Sequence, residues 1–114
     1  MISKFEEILS WQKSRDLTIA IYKAFKDSKD FGFKNQIERA SVSIMNNIAE
    51  GYERKSNKEF SYFLYVAKGS CAEVRSMLYL AKDLNTISPS KFDEFYNLSL
   101  EISKLLSGLI KTLK

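Results

Sequence analysis

"SNKEFSYFLYVAKGSCAEVRSMLYLAKDL", residues 56 to 84, is the stretch whose reading decides the fold. Ser56 followed by Glu59 has the form of a capping box set directly ahead of an apolar pattern. From there Phe60, Leu64, Ala67, Cys71, Val74, Leu78 and Ala81 recur in alternating steps of four and three, the spacing of one helix face. A seam sustained to about Leu84 is the kind that facing helices use when they pack at a shallow angle. A long helix with one apolar seam therefore needs helical partners.

The flanking sequence supplies them. After this helix, "NTISPS" at residues 85 to 90 places Ser88 as an N-cap and Pro89 at the first position of a last helix. That helix carries Phe92, Phe95, Leu98, Ile102, Leu105, Leu109 and Leu113. Upstream, a helix runs from about Lys34 to Gly51 or a few residues beyond, with Ile37, Ala40, Ser41, Ile44, Ile48 and Ala49 on one side. "DSKDFGF" precedes it, where Gly32 can take a left-handed turn. The first helix is expected from Ser10, as N-cap, to about Lys26, with Trp11, Leu17, Ile21, Ala24 and Phe25 apolar. Short connections join antiparallel neighbours, so residues 1 to 114 are read as one all-α domain, an up-down-up-down antiparallel four-helix bundle.

Composition narrows the chemistry. With 45% hydrophobic and 28% charged residues in 114, the chain is globular rather than disordered. It has no histidine and a single cysteine, Cys71, so neither a zinc centre nor a histidine-based catalytic triad is available. The four glycines stand singly, which excludes a Gly-rich phosphate loop. No cofactor or metal is expected, and the chain reads as a non-enzyme. No apolar run reaches the roughly 18 residues of a membrane span, and the start lacks the order of a signal peptide. The expected compartment is the cytoplasm, with no membrane partner. The net charge of +4 allows an acidic partner such as RNA or DNA without requiring one.

Two polar stripes stand out. On the second helix Gln36, Arg39, Ser43, Asn47, Glu50 and Arg54 are neighbours by spacing, with Glu50 and Arg54 in the order that favours an ion pair. They form either a solvated face or a hydrogen-bonded seam against another helix or subunit. Adjacent Asn46 and Asn47 are poor helix formers, a local cost that a merely wet face does not explain. On the third helix Tyr65, Lys68, Ala72, Arg75, Tyr79 and Lys82 lie one residue beyond the core seam. Cations interleaved with tyrosines can neutralise phosphates and stack on bases. They also suit a subunit interface, or lysine stems lying over apolar neighbours. Gly69, inside the same helix, is expected to mark close packing, and Cys71 to be a small buried hydrophobe.

Residues 36 to 54, "QIERASVSIMNNIAEGYER", resemble the four-helix bundle proteins encoded within intervening sequences of bacterial 23S ribosomal RNA genes. Trp11 and Lys13 match that family near its start. Gln36, Arg39, Ala40, Ser43, Ile44, Asn47, Ile48, Ala49, Glu50, Gly51 and Arg54 match its central motif. Phe63, Leu64, Ala67, Gly69, Ser70 and Glu73 match a downstream one. Met45 and Asn46 stand where the family has Pro-Ser, and Glu38 replaces one of two arginines. The resemblance implies a ring-shaped homopentamer with a basic central surface. It also implies kinship in fold with the accessory variability protein of diversity-generating retroelements, a basic pentamer that binds nucleic acid.

The resulting expectation is a homo-oligomeric bundle that binds RNA or DNA without reading sequence. Lys68, Arg75 and Lys82 would contact phosphates, Tyr65 and Tyr79 would stack on bases, and Arg54, Lys55 and Lys58 would form a second basic cluster. Gln36, Arg39, Asn47 and Glu50 would fix register between helices or subunits. The runner-up is a scaffold that binds an unidentified protein and no nucleic acid.

Overall fold

Ser56 Oγ accepts the Glu59 amide hydrogen at 3.1 Å and opens the longest helix of the chain. In this computed structural model, which describes residues 1–114, that helix is α3, Asn57–Asp83. It follows α1, Leu9–Phe25, and α2, Phe31–Tyr52, and precedes α4, Pro89–Thr112. A single 3-10 turn, Phe5–Glu7, comes before α1, and there are no strands. Each helix packs on its neighbours in sequence and α4 closes back on α1, while α1 and α3 do not touch. That is the up-down-up-down bundle. Its long dimension, 43 Å, is close to the length of α3 at about 1.5 Å per residue.

Leu17, Ile21, Ile37, Ile44, Ile48, Leu64, Leu78, Ile102 and Leu106 are all fully buried in one contiguous core. The α3 seam falls where the spacing places it: Leu64, Ala67, Cys71, Val74, Leu78 and Ala81 are fully buried, with Phe60 half-buried at its start. Ser88 Oγ accepts from the Lys91 amide at 3.1 Å with Pro89 next, so α4 begins as expected. Ser88→Ala is expected to lower stability by about 1 kcal/mol, read as an earlier urea midpoint at unchanged slope.

Expectations for three of the helices are corrected. Ser10 does not cap α1: the helix begins at Leu9 after Ile8, and Ser10 is buried with its hydroxyl unpartnered. The cause lies upstream, where Phe5 meets Trp11 edge-on at 5.2 Å and Ile8 is drawn into the core. Ala24 is exposed and Trp11 only half-buried. Helix α2 starts earlier than Lys34, because Asp30 Oδ1 accepts from the Phe33 amide at 3.1 Å. Gly32 is thus in the first helical turn with no positive φ. The one left-handed residue is Asn85, φ 59°, which ends α3. There the Thr86 amide donates to Ala81 O at 2.9 Å and the Asn85 amide to Lys82 O at 3.0 Å, a Schellman closure.

In α4 the correction concerns the register. Its innermost residues are Phe92, Phe95, Ser99, Ile102, Leu106 and Ile110, while Leu98, Leu105, Leu109 and Leu113 are half-buried. Ser99 is the reason. It is fully buried, and its carbonyl accepts from Cys71 Sγ at 3.1 Å, so two small residues bring α3 and α4 together.

Candidate nucleic-acid interface

Lys68, Arg75 and Lys82 stand seven residues apart on α3, about 10 Å per interval, along the edge that borders α4. Two of the three set their charged ends against aromatic or soft atoms. Lys82 Nζ sits 4.6 Å above the Phe92 ring, and Arg75 Nη1 donates to Cys71 Sγ at 3.6 Å. None has a carboxylate within ion-pair distance, the chain's ion pairs being Lys13–Glu101, Arg15–Asp16, Arg54–Glu50 and Lys91–Glu94. Their charge is therefore uncompensated by any close anion.

Aromatic rings adjoin the same edge. Tyr79 packs on Phe92 at 5.1 Å and on Tyr96 at 5.4 Å, and Phe92 stacks on Tyr96 at 5.3 Å. Spacing marks Phe92 only as an apolar residue of the last helix and does not single out Tyr96, since only the fold brings the two beside Tyr79. Tyr79 keeps about half its surface exposed, as does Tyr65. The Tyr96 hydroxyl is the main cause holding the Tyr79 phenol above its ordinary value, with partial burial next and Arg75 pulling the other way. Burial pushes the Cys71 thiol up, and Arg75 offsets only part of that. Cys71 is a core thiol, not a nucleophile.

The second basic cluster is placed differently. At the α2–α3 turn, Arg54 is committed to Glu50 at 2.7 Å and lies 4.8 Å over the Phe63 ring. Lys55 and Lys58 are exposed, with no ion-pair partner.

The polar stripe of α2 divides into bonded and open parts. Ser43 and Ser70 share a hydrogen bond at 2.9 Å between α2 and α3, and Asn47 Nδ2 donates to Ser43 O at 2.8 Å and Ser43 Oγ at 3.0 Å. Gln36 reaches Glu73 at 3.5 Å. Gln36, Arg39 and Glu50 are exposed, and Arg39 has no charged partner. The stripe is a hydrogen-bonded seam at its centre and a wet face at its ends. Its closest contact is one the spacing does not announce: Gly51 is buried where α2 crosses α3 at Phe60 and Phe63. Gly69 has the reverse fate, exposed with no atom within 4 Å of where a Cβ would stand. The expected packing at Gly69 does not occur within the chain, because that side of α3 faces away from the bundle.

No helix is long and apolar enough to cross a membrane. A family model described as 23S rRNA-intervening sequence protein matches residues 6–108. No curated protein matches the chain. A solved structure from Bacteroides thetaiotaomicron, a protein of unknown function from the S23 ribosomal protein family, superposes with a TM-score of 0.85 at 30% identity. That match covers 90% of this chain and 99% of the other.

Proposed function

Starting from the fact that this chain belongs to the 23S rRNA-intervening sequence protein family, we propose that it is a non-catalytic, self-associating bundle that binds nucleic acid without reading sequence. The observation that carries this reading is the row Lys68, Arg75 and Lys82, three cations on one helix edge with no carboxylate to neutralise them. Cations so spaced suit a phosphate backbone, which confers affinity but no base specificity. Tyr65 and Tyr79, half-exposed beside them, supply surfaces on which unstacked bases lie. Lys55 and Lys58 extend the positive potential past the start of α3, while Arg54 serves mainly to hold Glu50 and Phe63. The assembly is a homopentameric ring, as the resemblance implies, and it works in the cytoplasm with RNA or DNA as partner.

The test is fluorescence anisotropy of labelled single-stranded and duplex RNA and DNA, titrated with the protein over a range of salt. Binding is expected to weaken steeply with salt. In the triple variant Lys68→Ala, Arg75→Ala, Lys82→Ala, the slope of log affinity against log salt should shrink by about 2 units on single strands. Unchanged anisotropy at low salt removes the activity from this protein. The edge between α3 and α4 would then be a docking surface for a protein partner, the scaffold reading.

A further inference from the structure

The side of α3 turned away from the bundle has the wrong composition for a solvated face. Tyr62, Val66, Gly69, Ser76, Leu80 and Leu84 lie along it, all exposed, with Lys58 one turn before Tyr62 and Glu73 at the middle as the charges of their row. Long surface helices ordinarily put their charges there. The steps of four and three repeat those of the core seam on the opposite side, so α3 carries two seams and buries only one. The row runs about 33 Å along the helix. At its middle Gly69 leaves open space, although glycine inside a helix costs about 1 kcal/mol relative to alanine.

The same chain offers a surface that fits. Between α1 and α4, the loosest of the neighbouring helix pairs, lies a groove of about 340 Å³ lined by Ile19, Ala20, Ala24 and Phe95. Asp16, Lys23 and Lys91 complete its rim. Asp16 stands next to Arg15 and Lys91 near Glu94, which leaves Lys23 as the cation without a close carboxylate. From its middle onward the ridge is apolar with acids Glu73 and Asp83 on or beside it, Lys58 standing at its start. The groove is apolar, and of its rim charges Asp16, Lys23 and Lys91 it is Lys23 that lacks a close partner. Helices α1 and α3 stand diagonally and do not touch, so one copy can present both surfaces at once. Pairing α3 with α3 about a two-fold axis instead would set Glu73 near its own counterpart, a like-charge contact.

We infer that the outer ridge of α3 seats in the α1–α4 groove of a second copy of this chain. The inference deepens the self-association proposed above and rests on it. The contact is head-to-tail: each copy gives one surface and receives on the other. It leaves the edge carrying Lys68, Arg75 and Lys82 to one side.

Size-exclusion chromatography with multi-angle light scattering on the full chain tests this. Gly69→Arg on the ridge and Ile19→Asp in the groove are each expected to reduce the oligomer to monomer. Both positions are exposed, so helicity and melting by circular dichroism should hold; if Gly69→Arg loses helicity, Glu73→Lys takes its place. The decisive sample is an equimolar mixture of the two variants. Each then contributes its intact surface, and a dimer should form. A wild-type chain that elutes as a monomer overturns both the docking and the self-association. An oligomer that neither substitution disturbs overturns the docking alone. A mixture that stays monomeric overturns the head-to-tail pairing.

Discussion

Gly51→Leu is expected to lower stability by about 3 kcal/mol or more, because it forces apart the closest crossing in the bundle. A Cβ at Gly51 would stand 2.7 Å from Phe63 Cβ, 3.0 Å from Phe60 Cδ1 and 3.3 Å from the Phe60 carbonyl oxygen. Two of those atoms cannot swing away, since one is a Cβ and the other is backbone. Even Gly51→Ala should destabilise. The gain in helix preference, about 1 kcal/mol, competes with an overpacking cost of about 1–3 kcal/mol. Gly69→Ala sets the sign apart. With nothing within 4 Å, it should raise stability by about 0.5–1 kcal/mol in dilute solution, where the chain is unassembled. Urea titrations at constant slope read both effects. A Gly51→Leu midpoint equal to the wild type would mean that α2 and α3 do not approach so closely.

These two glycines also show what the sequence conveys and what it hides. Ser56, Ser88 and Pro89 were legible because a cap is local: its donors and acceptors lie within three residues. The α3 seam was legible because its apolar residues keep strict spacing over seven positions. Ser99 concealed the α4 register, since a buried serine breaks the apolar pattern precisely where close packing requires a small residue. Ser10 looked like a cap because serine caps well, but the contact of Phe5 with Trp11 lies outside any local rule. Tyr96 was invisible as a partner of Tyr79 until α4 lay against α3. The outer seam of α3 had the same spacing as the inner one. Gly69, Glu73 and Ser76 diluted its apolar character, and only burial tells the two sides apart.

Ile44→Ala is expected to lower stability by about 3 kcal/mol, and it separates charge from shape in nucleic-acid binding. Ile44 is fully buried on α2 and is itself part of neither the basic edge nor the outer ridge of α3. Removing its branched side chain leaves a cavity that the surrounding core can only partly fill. For a domain of this size the loss should drop Tm by roughly 10–20 °C. Between the two midpoints the variant is unfolded and the wild type folded, yet both carry the same net charge of +4. If affinity depends on Lys68, Arg75 and Lys82 being held at helical spacing, anisotropy in that window should fall for the variant and hold for the wild type. Equal binding by folded and unfolded chains would mean that charge alone attracts the nucleic acid. The arrangement of α3 would then have to be explained by the packing of one copy against the next.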